Sequence, residues 1–481
     1  MRVIIVGAGT VGTELARQLV SEKHDVLIIE NDADRARHAS SRLDCQVIQN
    51  SANNISVLEE AGVAKADALI TVTDSDELNM IVCGLASAKN PDMIKIARVR
   101  NNDYIKLADN NGALGINHFV HPNVEAARSA LDAIAHGAMG DILSFHGTPF
   151  CFCSIDIETD SAFDGLILKN YTSLNAGESM VILLEREKED KTGFESITPV
   201  GSTVLNRGDR IHLLAREDAM DTIFSLAGRK EAPLRKIGIV GGGRLGALIA
   251  EGILDSGDAK QSIITKPSFI NSIFKKFMPH IANKLTIIEQ DYDLCKELSE
   301  RFPQALILNE DITDENFIAE ERIDGLDLII TATEMQELNI ITAVYLKSRG
   351  VRRAISMVTS PGYGAIARKL GIDVVIPMKS VVVDSILTHL IGGGVKGLHR
   401  LGEGKVNLIE LKANDNAPVT KDKILNIHFP PGVLLLLVNR GEGNSFIPHG
   451  DTTIQSGDQV ALITKSGTEL EVAKFFATSE T

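Results

Sequence analysis

Two short stretches of the sequence carry residues in a pattern that handles phosphates. Residues 2–12 read RVIIVGAGTVG and residues 236–246 read KIGIVGGGRLG. Each is an apolar strand running into a GxGxxG turn and then a helical pattern, the context that gives this otherwise weak motif meaning. In the first copy, Gly7 permits the tight turn, Gly9 lets the backbone approach a pyrophosphate, and Gly12 lets the helix pack on the strand. The helix start offers unpaired N–H groups and a partial positive charge to an anion. Glu30 ends the next strand, where a carboxylate accepts hydrogen bonds from ribose hydroxyls and repels a 2′-phosphate. In the second copy, Gly241, Gly243 and Gly246 take the glycine roles and Glu289 takes the place of Glu30. Arg244 lies inside that turn, placed to pair with a phosphate. The alternative, a turn kept for packing with no bound nucleotide, stays open for both copies.

The rest of the sequence offers no reaction centre. HExxH, GxSxG and the phosphate loop GxxxxGK[ST] do not occur. A dehydrogenase needs a proton donor or acceptor beside its cofactor. His146 and His212 have no counterparts in the second half and read as structural, so no catalytic residue is assigned. The five cysteines form no CxxC pair, and Cys151-Phe-Cys153 has no clustered histidine. They read as small buried hydrophobes, with no metal site. Two nucleotide folds without a base point to sensing, in which binding energy moves domains rather than stabilising a transition state.

The elements that must position the turns recur in the same order in both halves. Asp67-Ala-Leu-Ile-Thr-Val-Thr73 pairs with Asp327-Leu-Ile-Ile-Thr-Ala-Thr333, and Glu77-Leu-Asn79 with Glu337-Leu-Asn339. Pro199-x-Gly201 and Gly208-Asp209 pair with Pro448-x-Gly450 and Gly457-Asp458 at equal spacing. The fold class read from this tandem repeat is α/β: two Rossmann-like parallel-sheet domains, each followed by a small α+β lobe. The boundaries are 1–140, 141–228, 234–394 with an insertion at 256–284, and 395–481. In the first domain, strands fall at Arg2–Val6, Val26–Glu30, Gln46–Ile48, Ala68–Val72 and Ile94–Val99, with helices at Val11–Val20, Asp34–Arg42 and Glu77–Lys89. A helix near 122–136 links the lobes, and Ala227–Arg235 reads as the linker between halves.

The 481 residues carry a net charge of −15, which disfavours nucleic acid as a partner. Aromatic residues are 4% and Trp is absent, so a stacking groove for polysaccharide or single strands is disfavoured. No segment reaches the ~18 apolar residues of a membrane span. A strand begins at once, so no signal peptide is expected, and the location expected is cytoplasmic.

At the level of whole motifs, the chain resembles the TrkA-type regulatory subunits of Trk potassium-uptake systems, which carry two RCK (KTN) units. The resemblance rests on VGAGTVG, on EEAGVAKADALITVTDSDELNM (Glu59–Met80), on VGGGRLG and on the Pro-x-Gly…Gly-Asp signature, and it spans the chain. It implies a non-enzymatic cytosolic ring, at the inner face of the membrane, bound to a potassium-translocating subunit of TrkH or TrkG type. It implies NAD(H) and ATP or ADP as ligands, and a homo-oligomer, by analogy a tetramer arranged as a dimer of dimers. The pocket residues it implies are Gly7, Gly9, Thr10, Val11, Gly12, Glu30, Asn31, Ser51, Ala52, Thr71, Thr73 and Arg98. In the second copy they are Gly241, Gly243, Arg244, Leu245, Gly246, Glu289, Asp311, Thr331 and Thr333.

There are three departures from the family pattern. Asn50-Ser51-Ala52-Asn53 stands where a glycine turn is usual, and Glu310-Asp311 replaces it in the second copy; Met357 stands opposite Arg98. The insertion, read as an amphipathic helix over 266–284 with Lys266, Lys275, Lys276 and Lys284 around it, either packs within the ring or touches the membrane subunit. An NAD-dependent oxidoreductase and a regulator of another ion transporter are the alternative functions.

Overall fold

A computed structural model of the protein describes residues 1–478 apart from 102, 105–112, 136, 139–140, 146–147, 159, 175, 189–193, 229–233, 255–283, 392–394, 402–405 and 442. The amphipathic pattern of the insertion, with Lys266, Lys275 and Lys276, and most of the linker between halves lie outside the described residues.

The first sheet is built from β1 (Arg2–Val6), β2 (Asp25–Glu30), β3 (Gln46–Gln49), β4 (Ala68–Thr71), β5 (Ile94–Arg98) and β6 (His118–Val120), all parallel, in the order β3-β2-β1-β4-β5-β6. Val3, Ile4 and Ile5 are fully buried. A parallel sheet covered on both faces demands such an unbroken apolar run, and the run reads as a strand for that reason. The helices Thr10–Ser21, Ala33–Arg42 and Asp76–Lys89 cross between strands. Thr10–Ser21 turns Val11, Leu15, Ala16 and Leu19 inward. A side chain as large as Leu contributes about 1.5–3 kcal/mol when fully buried.

A second sheet holds β7 (Asp141–Ser144), β8 (Phe150–Asp156), β9 (Ser179–Glu187), β10 (Phe194–Ile197) and β11 (Arg210–Arg216), antiparallel, in the order β10-β9-β11-β8-β7. The second parallel sheet, β12 (Lys236–Val240), β13 (Lys284–Glu289), β14 (Leu306–Asn309), β15 (Leu328–Thr331), β16 (Arg353–Val358) and β17 (Val374–Pro377), has the order β14-β13-β12-β15-β16-β17. The last is β18 (Val395–Leu401), β19 (Val406–Lys412), β20 (Leu434–Asn439), β21 (Ser445–Phe446) and β22 (Gln459–Lys465), ordered β18-β19-β22-β20-β21. Strand for strand, the third sheet repeats the first and the fourth repeats the second.

The Gly-Asp signature is architectural. Asp209 is 2% exposed and accepts from Arg186 Nε at 2.8 Å and from Asn206 N at 2.7 Å. Asp458, 3% exposed, accepts from Arg440 Nε at 3.2 Å and Gln455 N at 2.8 Å. Each buried carboxylate closes its turn and is neutralised by one arginine, as burial of a charge requires.

Packing partners do not follow chain order. One compact unit comprises Met1–Glu125, Lys379–Arg440 and Phe446–Thr481; the other comprises Ala126–Met378 and Gly441–Ser445. The boundaries fall in the predicted linking helix, observed as Pro122–Ala135, and at the start of its counterpart, Met378–Ile391. In the first unit, Val382, Val383, Ile386 and Leu390 of that second helix share a core with Val11, Leu15 and Leu19, and with Leu462 and Phe476 of the last lobe. The first large lobe therefore packs with the small lobe from the far end of the chain. In the second unit, Lys369 pairs with Glu187 at 2.7 Å.

Candidate functional site

At the carboxyl ends of β1, β2, β4 and β5, where the strand order reverses, lies a cleft of about 600 Å³. Open parallel sheets place ligands at such a switch point, and the volume suits a nucleotide-sized molecule. Gly7, Ala8, Gly9, Thr10 and Val11 form its floor, and Glu30, Asn31, Ser51, Ala52, Thr73, Asp74 and Arg98 its walls.

The glycines divide the work. Gly7 has φ +105°, and a side chain there would press on the backbone of Val72 and Thr73 at 3.2–3.3 Å. A Cβ on Gly12 would lie 1.9 Å from the Gly7 carbonyl oxygen. A Cβ on Gly9 would meet nothing within 4 Å, so that position opens onto the cleft. Gly9 is also the N-cap of the helix Thr10–Ser21 and supplies no side-chain cap. The first N–H groups of that helix are thus left for another acceptor.

Glu30, 8% exposed, is held at both oxygens: Oε2 accepts from Ala8 N at 2.5 Å and Oε1 from Asp32 N at 2.9 Å. A carboxylate has about four acceptor sites, so sites remain for hydroxyl donors. Arg98 Nε is buried without a hydrogen-bond partner, and its Nη1 reaches Asp74 Oδ1 only at 3.7 Å. Burial and the neighbouring Arg100 push the Arg98 guanidinium below its ordinary value, against Asp74 and Asp76. A buried donor with no acceptor on a cleft wall is costly unless something arrives to accept from it. The donor set fits a phosphate-bearing ligand.

The motif Asp-Ala-Leu-Ile-Thr-Val-Thr…Glu-Leu-Asn builds this wall. Asn79, fully buried, accepts from Thr73 N at 3.0 Å and Thr73 Oγ1 at 2.7 Å, and donates to Thr73 O at 3.2 Å and Arg98 O at 2.8 Å. One side chain thereby fixes the ends of β4 and β5 together. Asp76 continues the clamp by accepting from Arg100 N at 2.8 Å. In the second copy Asn339 makes the same four bonds, with Met357 O replacing Arg98 O, and Gln336 Oε1 accepts from Thr359 N at 3.0 Å.

Two of the residues singled out in the first copy lie off the cleft. Thr71 is fully buried, with Oγ1 donating to Asn79 O at 3.1 Å, and Gly12 sits under the turn. Both shape the fold beneath the site. Arg17, Arg35, His38 and Lys379 also line the cleft. Arg17 was readable as the outward face of the first helix; Lys379, far along the chain, had no sequence signal.

The second copy keeps the frame and changes the charge. Gly241 has φ +96°, a Cβ on Gly246 would lie 1.9 Å from the Gly241 carbonyl oxygen, and Gly243 is open. Glu289 accepts from Gly242 N at 2.7 Å and Asp291 N at 2.9 Å. Leu245 and Thr331 are buried, Thr331 Oγ1 donating to Ser356 Oγ at 3.1 Å, while Arg244 is exposed. Asp311 accepts from Thr313 N at 2.9 Å and Thr313 Oγ1 at 2.8 Å, which holds its carboxyl below the ordinary value. Met357 carries no charge where Arg98 does.

His212 lies in the other unit. It is 3% exposed, with Nδ1 at 2.7 Å from Ser154 Oγ and Nε2 at 3.1 Å from Glu185 Oε1. All five cysteines are free thiols, and burial pushes Cys83 up to about 11 and Cys153 up to about 12. Among the described residues no group of three His, Cys, Asp or Glu side chains is arranged to hold a metal, and no helix is long and apolar enough to cross a membrane.

Two Rossmann-like sheets with glycine turns and acid-ended second strands, each repeated with an antiparallel lobe, define a tandem RCK-type protein. The TrkA-N domain matches residues 3–122 and 271–377, and the TrkA-C domain matches 408–477. The chain belongs to the TrkA family of Trk potassium-uptake proteins. It is 27% identical over 486 residues to the Trk system potassium uptake protein TrkA of Haemophilus influenzae, covering 100% of this chain and 99% of that protein. It is 26% identical to TrkA homolog 1 of Methanosarcina mazei, covering 99% of this chain and 100% of the relative. Among solved structures, the GsuK RCK domain aligns with a TM-score of 0.55 at 17% identity, covering 99% of this chain and 94% of that one. The GsuK channel bound to NAD aligns with a TM-score of 0.55 at 16% identity, covering 98% of this chain and 78% of that one. These two establish likeness of fold. The small lobe β7–β11 lies outside the matched TrkA-C range, yet its strand order repeats that of β18–β22.

Proposed function

We propose that this chain is a non-enzymatic, nucleotide-sensing subunit that gates a potassium-translocating membrane protein of TrkH or TrkG type. The observation that carries the proposal is the first cleft, with its open Gly9, its uncapped helix start and the orphaned Arg98 Nε. NAD(H), ATP and ADP share what this cleft is built to hold: a ribose, for Glu30, and a phosphate chain, for the glycine turn and Arg98. Glu30 is tied to the backbone at both oxygens, an arrangement suited to accepting from a ribose rather than to moving a proton.

The second copy keeps the glycine turn and the acid, Glu289, and its acidic Asp311 and the neutral Met357 in place of Arg98 favour weaker binding there. Each ligand shifts the equilibrium between two shapes of a ring by its differential affinity, about 1–3 kcal/mol per site. The ring is a homo-oligomer, a tetramer by family analogy, at the cytoplasmic face of the membrane. Supporting assembly, Ile81 and Ile341 stand at repeat-equivalent positions on the helices Asp76–Lys89 and Gln336–Arg349 and are 52% and 66% exposed.

The cleft chemistry sets a ligand preference. Titration calorimetry on the full chain is expected to give NADPH an affinity at least tenfold below that of NADH, about 1.4 kcal/mol, because Glu30 repels a 2′-phosphate. Equal affinities would remove Glu30 from the ribose site.

A further inference from the structure

The first cleft is lined by four cationic side chains, Arg17, Arg35, Arg98 and Lys379, and by three carboxylates, Glu14, Glu30 and Asp74. Each of the three arginines has a carboxylate within 4 Å. Arg17 pairs with Glu14, and Arg35 and Arg98 approach Asp74 at 3.6 and 3.7 Å. Lys379 is half-buried and has no acidic partner among the described residues. Of the four cations it is the one with no carboxylate within 4 Å among the described residues.

Its place in the chain is as telling as its charge. Lys379 follows β17, the last strand of the second parallel sheet, and is the residue at which the chain enters the first unit. The helix it opens then buries Val382, Val383 and Ile386 in the core that holds Leu15 and Leu19 of the first glycine-turn helix. From the pairs Ile96↔His118 and Ile355↔Val374, the counterpart of Lys379 in the first half is Asn123. The lysine is therefore not a repeat feature.

We propose that Lys379 reads the phosphate chain of the nucleotide in the first cleft, giving that cleft its preference for ligands with a charged pyrophosphate or polyphosphate, and that it does so from the second repeat. A lysine is a compact charge on a flexible four-carbon stem, able to follow phosphates of different length. The inference rests on the proposed nucleotide site and would make ligand charge felt at the junction between the repeats.

The test is titration calorimetry of the full chain with adenosine, AMP, ADP, ATP, ADP-ribose and NADH, for wild type, Lys379→Gln and Lys379→Arg. Lys379→Gln is expected to weaken ADP and ATP about tenfold, a loss of the size a charge-assisted hydrogen bond confers. Adenosine should be unchanged and Lys379→Arg should restore most of the loss. ADP-ribose and NADH losing as much as ADP would place the lysine on the inner pyrophosphate; losses confined to ADP and ATP would place it on the terminal phosphate. If Lys379→Gln binds every ligand as wild type does, or loses adenosine equally, the proposal is overturned while the nucleotide site stands. Wild type binding none of the six ligands would instead overturn the site itself.

Discussion

Leucine in place of Gly9 is expected to weaken the proposed nucleotide binding at the first cleft severely and to leave the protein folded. Gly9 has φ −68°, a backbone any residue adopts, and a Cβ there meets no atom within 4 Å. The added Cβ meets no steric obstacle in the fold, and losing glycine at the N-cap costs about 1 kcal/mol at most, but the side chain stands over the helix N-terminus, in the space a pyrophosphate must enter to reach the N–H groups. Loss of that approach is expected to weaken binding by at least about 100-fold, or ~2.7 kcal/mol. The melting temperature should stay close to that of wild type. Gly243→Leu is the matched variant for the second glycine turn, where a Cβ again meets nothing within 4 Å. Comparing the two by calorimetry assigns each binding event to its turn. A Gly9→Leu protein that binds NADH and ATP normally would show that the pocket has been misassigned.

Gly12→Ala should do the opposite. Its Cβ would lie 1.9 Å from the Gly7 carbonyl oxygen of the turn itself and 3.2 Å from a methyl of Val72, just past β4. The turn must move or the helix must separate from the sheet. Overpacking commonly costs about 1–3 kcal/mol, and more where backbone has to shift. A cost of about 3 kcal/mol lowers the melting temperature of a unit this size by roughly 6–12 °C. Differential scanning calorimetry checks this; an unchanged melting temperature would mean that helix and strand are not packed through Gly12. Two glycines of one motif, three residues apart, thus serve function and fold separately, and only the geometry around each tells them apart.

Much of the frame was legible in the sequence because it follows from local pattern. The unbroken apolar run of β1 and the alternation of strands with helices required a covered parallel sheet. The repeated landmarks imply the tandem arrangement without reference to strand pairing. The role of the Glu-Leu-Asn run was not legible. It reads as part of a helix start, yet Asn79 makes four hydrogen bonds that join β4 to β5. Thr71 shows the reverse: the family resemblance implies a ligand contact there, but every residue of β4 is buried and the Thr71 hydroxyl donates to Asn79 O. Lys379 and the exchanged lobes were hidden for another reason. Periodicity reports which face of an element is buried, not which distant segment buries it. Nothing local in Met378–Ile391 says that it packs with Leu15.

The exchanged packing also governs how the protein should be studied. Halves cut at 1–228 and 234–481 would separate the first parallel sheet from Val382, Leu462 and Phe476, which share its core. Binding and flux measurements therefore belong on the full chain.

The proposed control of a membrane potassium pathway by nucleotide in the first cleft is tested most directly by potassium flux into liposomes carrying a TrkH- or TrkG-type subunit, with and without this chain, in the presence of NADH, ATP or ADP. Flux is expected to respond to nucleotide only when the chain is present, and Gly9→Leu is expected to remove the response while still binding the liposomes. Flux that ignores nucleotide with the wild-type chain bound, or that responds equally with Gly9→Leu, would contradict it.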